Sequence, residues 1–352
     1  MSKFQAFLKR KDIEFSARRY FIDALGAMAQ GLFCSLLIGT ILNTVGTQLN
    51  LPFFNTLGGA ATAVSGAAMA IAIGYALKSP PLVLFSLAAV GYSANALGGA
   101  GGPLAVLIMA IVAAEFGKAV SKETKIDILV TPFVTVFVGV GLAALIAAPI
   151  GQAASWVGKL IMWATELQPF LMGVIVSVVV GVALTLPISS AAICHVMGLT
   201  GLAGGAAVAG CCAQMVGFAV MSFRENRWGG LVSQGLGTSM LQMGNIVKNP
   251  KIWIPPILAS AITGPIATCV FRLEMNGEPV NSGMGTCGLC GPIGVWTGWA
   301  ADVASGAKAA VTAMDWIGLA LVAIVLPALL TPLLAWPLRK LGWIKDGDLK
   351  LN

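Results

Sequence analysis

The chain has 352 residues, of which 57% are hydrophobic and only 10% are charged, and its mean hydropathy is +0.89. A soluble domain carries roughly 25% charged residues, so this composition excludes a soluble enzyme, a disordered protein and a nucleic-acid-binding domain. The 43 glycines are typical of membrane helices that pack closely through small residues. We therefore predict an all-α, polytopic integral membrane protein whose surroundings are a lipid bilayer.

The net charge of +7 is explained by membrane topology rather than by a nucleic-acid partner, which we do not expect. Lys and Arg cluster beside apolar stretches, in the first 19 residues and at 118–125 and 339–350. With a cytoplasmic N-terminus and ten crossings, most of these cations fall on the cytoplasmic side, as the positive-inside rule requires. The other side receives Lys159, Arg224, Arg227, Arg272 and Lys308, of which Arg224 and Arg227 are the misfit. We expect both termini to be cytoplasmic.

Ten apolar stretches are candidates for membrane-spanning helices, each of which needs about 20 mostly apolar residues. The spans are predicted near residues 20–45, 58–78, 81–98, 103–118, 128–149, 168–186, 200–222, 229–246, 253–273 and 314–338. The pattern at 229–246 is the weakest, because Gln234, Gln242 and Asn245 interrupt it. The predicted domains are a basic arm at 1–19, a membrane repeat at 20–150, an interfacial linker at 151–166, a second membrane repeat at 167–338 and a tail at 339–352.

The two membrane regions are predicted to be related by duplication. Residues 31–39 resemble 173–181 at an offset of 142, and residues 74–79 resemble 217–222 at an offset of 143. Small-residue packing faces produce similar patterns by chance, but the shared offset favours a duplication. Five spans per repeat would invert the halves in the membrane, whereas the two exceptional arginines argue for parallel halves, so both arrangements stay open.

Two segments of the second region, 186–198 and 281–294, are apolar but interrupted by Gly and Pro. Irregular backbone at membrane depth must be buried in protein or line a watery cavity, and transporters place their substrate sites at such breaks. The segment at 94–103 is a similar break in the first region. We expect the two segments of the second region to meet near the midplane and to form a solute site.

The candidate substrate-binding residues are polar groups or glycines in or near these breaks: Ser189, Ser190, His195, Gly285, Thr286, Asn95 and Gln214. The serine hydroxyls would bind solute, or would hydrogen-bond the helix that they interrupt. His195, the single histidine, would contact solute or stay a neutral imidazole bonded to a carbonyl. Thr286 and its neighbouring glycines would approach a ligand or pack helices. Asn95 and Gln214 would line a cavity or bridge helices.

No cofactor, metal site or catalytic set is predicted. Cys287 and Cys290 form a C-x-x-C pair without a second pair at zinc spacing, and their apolar setting disfavours a reactive thiolate. Small apolar packing is the favoured role. The sequence has no phosphate-binding loop, nucleotide fingerprint or carboxylate pair, which disfavours an ATP-driven pump and a membrane hydrolase. A channel is disfavoured because no charged ring or repeated filter motif is present.

Three stretches resemble the PfoR-like membrane family, which is also described as a second type of phosphotransferase-system (PTS) EIIC domain and as toxin or perfringolysin regulators. They are residues 26–39, 186–193 and 283–293, within a resemblance that extends over roughly residues 15–340. Cys287 and Cys290 depart from the family pattern, in which Ser or Val is expected at these positions.

The resemblance implies an alternating-access transporter of a small polar solute, a sugar or sugar acid, in the bacterial inner membrane. It also implies a homodimer and a separate IIB partner that phosphorylates the sugar. The sequence contains no IIA or IIB domain and lacks the Gly-Ile-Thr-Glu motif of glucose-type permeases, so we do not expect enzymatic activity in the chain itself. The alternative that the resemblance implies is a membrane sensor that controls gene expression through a partner bound to the arm or the tail.

Overall fold

The computed structural model describes residues 3–351, and within them it contains helices and no β-strand; a single isolated bridge pairs Gly201 with Met275. This confirms the predicted all-α class. The chain divides into two compact units, Met1–Ala153 and Ala154–Asn352, which are described separately below.

Six helical stretches among the described residues are long and apolar enough to cross a membrane: Arg19–Gln48, Pro81–Val120, Asp127–Thr165, Gly201–Met221, Pro250–Val270 and Ala313–Lys340. The pair Pro52–Ala63 and Ser65–Ala76, bent by 48°, gives a seventh if it is counted as one span. The helix Pro169–Thr185 is apolar but shorter. The ten predicted spans are therefore not confirmed by helix length and composition.

The first unit contains seven helices within its described part: α1 (Lys3–Arg10), α2 (Arg19–Gln48), α3 (Pro52–Ala63), α4 (Ser65–Ala76), α5 (Pro81–Gly98), α6 (Gly102–Val120) and the start of α7 (Asp127–Thr165). Two π-helical turns, Arg19–Asp23 and Phe33–Leu37, lie within α2. Helix α4 is central, because α2, α5 and α6 all pack against it. Its buried face contains small residues such as Gly66, which let the neighbouring helix approach closely.

The apolar stretch Pro81–Val120 is a helical hairpin and not one straight 40-residue helix. Gly99 turns the chain with φ +50° and ψ −121°, a conformation that is accessible mainly to glycine. The backbone then returns, so that a Cβ atom on Gly102 would lie 2.8 Å from the Asn95 carbonyl oxygen. Helices α5 and α6 pack side by side, at the positions predicted for two separate spans.

Helix α7 continues without a break through the segment predicted as a separate interfacial linker, residues 151–166. It has 39 residues, with Pro132 and Pro149 inside it. A helix of this length measures about 58 Å at 1.5 Å per residue, well beyond the roughly 30 Å of a bilayer core. The interfacial position of its C-terminal part stays a prediction.

The second unit contains the end of α7, then α8 (Pro169–Thr185), α9 (Ser190–Val196), α10 (Gly201–Met221), α11 (Phe223–Val232), α12 (Met243–Lys248), α13 (Pro250–Val270), α14 (Cys290–Ser305) and α15 (Ala313–Lys340). Helix α10 forms the centre of this unit and packs against α8, α13 and α15. At its contact with α8, a Cβ atom on Gly210 would lie 1.9 Å from the Ser177 carbonyl oxygen, so only glycine permits this distance between the two helices.

The span predicted at 229–246 is not formed. This region contains α11, a π-helical turn at Ser233–Gly237, a 3₁₀ turn at Ser239–Gln242 and then α12. Its buried amides bond to the C-terminal tail: Gln242 Nε2 donates to the Leu349 carbonyl and Asn245 Nδ2 to the Lys350 carbonyl, both at 2.9 Å. A lipid-facing helix would leave such amides unsatisfied, which accounts for the irregular backbone of this region.

Candidate functional site

The two segments predicted to be broken are irregular in the structure and lie against each other. After α8 the chain is extended at Leu186 before α9 begins. The second segment consists of two 3₁₀ turns, Pro279–Gly283 and Cys287–Leu289. Ser190 Oγ donates a 2.7 Å hydrogen bond to the Gly283 carbonyl, and a Cβ atom on Gly283 would lie 2.6 Å from the Ser190 backbone. The two segments are therefore in contact, while their position near the midplane and their role as a solute site stay predictions.

Ser189 begins the short helix of the first segment. Its hydroxyl accepts a 3.2 Å hydrogen bond from the Ala192 N–H, which satisfies one of the free donors at the start of α9. Its side chain is half-buried. In this conformation Ser189 therefore acts as a helix cap, the structural alternative left open by the sequence.

The second segment is fixed to α10. Gly285 has φ +54°, and a Cβ atom on it would lie 2.7 Å from Cys211 Cβ. Thr286 is buried, and its hydroxyl donates to the Gly235 carbonyl and lies 3.7 Å from Met215 Sδ. The glycine thus lets the backbone lie directly on the helix, while the threonine joins the segment to the turn that follows α11.

Gln214, on the same helix, is fully buried in a polar network that joins α8, α10 and α13. Its Oε1 accepts a 2.8 Å hydrogen bond from Trp253 Nε1, and its Nε2 donates to Ser260 Oγ at 3.3 Å. Thr185 Oγ1 lies 3.4 Å from the same Oε1 and 2.7 Å from Ser239 Oγ. Gln214 therefore bridges helices in this conformation, and its Oε1 could accept from a solute only by exchanging one of the donors that now bind it.

His195 is exposed on α9, next to exposed Val196 and buried Cys194. Within residues 3–351 no hydrogen bond from its imidazole is found, so the carbonyl-bonded alternative is not the one observed. Among the predicted polar residues of the second unit, it is the one whose side chain is exposed and needs to lose no contact before it binds a ligand.

Asn95 belongs to the first unit. It lies on α5, half-buried, with its Cβ against Gly66 on α4 and its Oδ1 against Gly102 on α6. It therefore lies where α4, α5 and α6 meet, next to the turn of the hairpin and within the predicted break at 94–103.

A buried ion pair lies near the end of α6 in the first unit. Lys118 Nζ lies 2.8 Å from Glu115 Oε2, and the two side chains are only 1% and 9% exposed. Lys118 also donates to the carbonyls of Asp12 and Leu77, at 2.7 and 3.1 Å. The i, i+3 spacing of the two charges on a predicted helix was the available sequence signal. Through its bonds to the Asp12 and Leu77 carbonyls, Lys118 joins the arm to α6 and to the end of α4.

No group of three His, Cys, Asp or Glu side chains within the described part of the chain lies close enough to hold a metal ion. Cys287 and Cys290 are buried and unbridged, which agrees with a packing role for both.

A family model described as "Phosphotransferase system, EIIC" matches residues 22–351 of the chain. The match includes every candidate residue and both broken segments. No curated protein and no solved structure matches the chain. The match confirms the EIIC part of the resemblance, while the narrower relation to perfringolysin regulators stays a prediction.

Proposed function

Because the chain belongs to the phosphotransferase-system EIIC family, whose members are membrane transporters that carry sugars and work with a IIB partner, we propose that it carries a small polar solute, a sugar or sugar acid, by alternating access. The membrane would be the bacterial cytoplasmic membrane. The basic clusters of the sequence favour cytoplasmic termini, and a separate IIB protein would then phosphorylate the solute on that side.

The contact between the broken segments is the observation that carries this proposal. Each segment is held to its neighbours by a few hydrogen bonds and by glycine contacts instead of a continuous helix. Such breaks leave backbone N–H and C=O groups available to a solute. They also allow the chain to rearrange without breaking a whole helix, as alternating access requires.

Two of the proposed binding residues would bind solute by exchanging a hydrogen bond within the protein for one to the solute. The Ser190 and Thr286 hydroxyls each donate to a backbone carbonyl, and a sugar hydroxyl could replace either partner. Gly285 would allow close approach to the backbone, and Ser189 would orient α9. His195 would supply a free imidazole.

Gln214 would complete the proposed set of the second unit with an amide group, while Asn95, in the first unit, stays a separate prediction. Sugar binding would use several neutral donors and acceptors of this kind, because each hydroxyl of the solute must be satisfied once it leaves water. A homodimer is part of the proposal by the family relationship alone.

The proposal includes two related halves, which rest on the resemblance of residues 31–39 to 173–181 and of residues 74–79 to 217–222 at nearly the same offset.

Ligand binding by the detergent-purified protein tests the proposed site. A ligand that binds the folded state raises the melting temperature by mass action, so hexoses, hexitols and hexuronic acids are screened in this way. We expect at least one to stabilise the wild type and to lose at least about tenfold in affinity in His195→Gln. Ser305→Ala, which changes an exposed hydroxyl at the end of α14, is the control and should bind normally. No stabilising compound, or equal loss in both variants, would contradict the proposed site.

A further inference from the structure

A cavity of about 370 Å³ lies in the first unit where the arm meets the ends of α4 and α6. Its lining includes five cations: Arg10, Lys11, Lys78, Lys118 and Lys122. Only two carboxylates line it, those of Asp12 and Glu123. The cavity is therefore strongly basic, and its position among the clusters assigned to the cytoplasmic side makes that the side on which it would open.

The two carboxylates do not neutralise the cavity. Glu123 forms ion pairs with both Arg10 and Lys11, so one negative charge is shared by two cations. The hydrogen bond from Lys11 holds the pKa of Glu123 below its usual range, and Arg10 adds to the effect. Asp12 is paired with Arg19 at 2.8 Å.

Lys118 is not available to a ligand. Its buried ammonium forms an ion pair with Glu115 and donates hydrogen bonds to the Asp12 and Leu77 carbonyls. Lys78 and Lys122 differ from it, because both are exposed and neither ammonium has a hydrogen-bond or ion-pair partner within residues 3–351. They are the two cations that remain free to bind an anion.

Both free lysines occupy positions that favour glycine. Lys78 has φ +55° directly after α4, and Lys122 has φ +60° just after α6. Residues with a Cβ atom are unfavourable in this left-handed region, and helices commonly end there with glycine. Seven non-glycine residues within the described part of the chain have a positive φ, and three of them, Asp12, Lys78 and Lys122, line this cavity. Strained backbone of this kind is concentrated at functional sites.

The surroundings of the cavity fit a ligand at the membrane surface. Tyr75 is exposed one helical turn before Lys78, and Phe116 is exposed near the end of α6. An apolar surface next to a basic cavity matches the two parts of an anionic lipid, since basic pockets between membrane helices bind lipid headgroups. We propose that this cavity binds a phosphate group, carried by an anionic lipid headgroup or by a soluble phosphate.

Binding to the purified full chain in a nonionic detergent tests this inference. The probes are phosphatidylglycerol, phosphatidylcholine, inorganic phosphate and glucose 6-phosphate, each titrated calorimetrically. Because each lysine near an anionic surface contributes substantially to binding, Lys78→Gln/Lys122→Gln should lose at least about tenfold in affinity for the anionic probe. Lys9→Gln/Lys125→Gln removes the same charge from exposed positions outside the cavity and should change affinity by less than about twofold.

A second variant separates the effect of the lysine charges on binding from any effect of the substitutions on folding. In Lys78→Gly/Lys122→Gly the left-handed backbone is relaxed, so we expect a melting temperature no lower than that of the wild type together with the same loss of binding. Binding of phosphatidylglycerol alone would identify a lipid headgroup as the source, and parallel binding of a soluble phosphate would identify a free phosphate. Absence of binding by all anionic probes, or equal loss in the two glutamine variants, would overturn the inference.

Discussion

Ser190 donates a 2.7 Å hydrogen bond to the carbonyl of Gly283, and this bond joins two interrupted segments that lie 93 residues apart in the sequence. Both residues are buried. The contact is tight because the acceptor residue has no side chain. A transporter that works by alternating access must open and remake contacts of this kind. Substitutions at this pair therefore test the proposed movement.

Adding one methyl group at this contact should disturb it. In Gly283→Ala the new Cβ atom would lie 2.6 Å from the Ser190 backbone, and overpacking of this kind costs about 1–3 kcal/mol. We expect a lower melting temperature and weaker sugar binding.

Gly141→Ala on α7 is the matched control, because nothing lies within 4 Å of the position of its new Cβ atom. Its melting temperature should be unchanged or slightly raised, since alanine is the better helix former. Equal effects of the two substitutions would show that the segment contact has no special role.

The buried pair of Glu115 and Lys118 predicts an asymmetry between single and double substitutions. Removing one partner leaves an uncompensated buried charge, which costs about 3–5 kcal/mol. Lys118→Met should therefore be strongly destabilised, whereas Glu115→Leu/Lys118→Met should recover part of that loss. Chemical unfolding in detergent measures the difference. A double variant less stable than Lys118→Met would contradict the assignment of the pair as a charge-balanced unit.

The arm should be anchored in a pH-dependent way through Asp12. The hydrogen bond from Arg19, at 2.8 Å, holds the pKa of Asp12 below its ordinary value of 3.8. A lowered pKa in the folded state means that the stabilisation is fully present above about pH 4. It is lost as the pH falls through the lowered pKa.

The melting temperature of Asp12→Asn should thus fall below that of the wild type at neutral pH, and the two should converge under strongly acidic conditions. Glu14→Gln is the control, because Glu14 is largely exposed and 4.0 Å from Arg19. A constant difference between wild type and Asp12→Asn at every pH would argue against this ion pair.

The C-terminal tail should contribute to the stability of the second unit. Leu349 is fully buried, and its carbonyl accepts hydrogen bonds from Asn226 and Gln242 at 2.8 and 2.9 Å. Leu349→Ala should cost about 2–5 kcal/mol. Lys350→Ala changes the adjacent exposed side chain and should cost no more than about 0.5 kcal/mol. Equal unfolding midpoints for the two variants would show that the tail is not docked in solution.

Local sequence pattern was enough for the parts of the fold that depend on hydropathy and on helix breakers. The all-α class follows from the composition, and the interruption at Pro187 and the glycines from 283 to 294 marked the segments that meet in the structure. Hydropathy could not show which distant groups form hydrogen bonds with a buried polar side chain. Gln242 was read inside a span because its partner, the Leu349 carbonyl, lies 107 residues further along the chain.

The roles of individual site residues also depend on distant partners. Ser189 caps a helix and Gln214 bridges three helices, while His195 is exposed; the sequence had left both alternatives open for each residue. The cluster at 118–125, which includes Lys122, was interpreted only as a topology signal, because neither a cavity nor a positive φ can be recognised from composition.

The most direct measurement of the central claim is sugar counterflow in proteoliposomes that contain the full chain and no IIB protein. Vesicles loaded with an unlabelled sugar identified by the binding screen are diluted into the same sugar in labelled form. The account predicts transient accumulation of label in wild-type vesicles, which is strongly reduced by Gly283→Ala and retained by Gly141→Ala. No accumulation above protein-free vesicles, for a sugar that binds the purified protein, would contradict transport by alternating access.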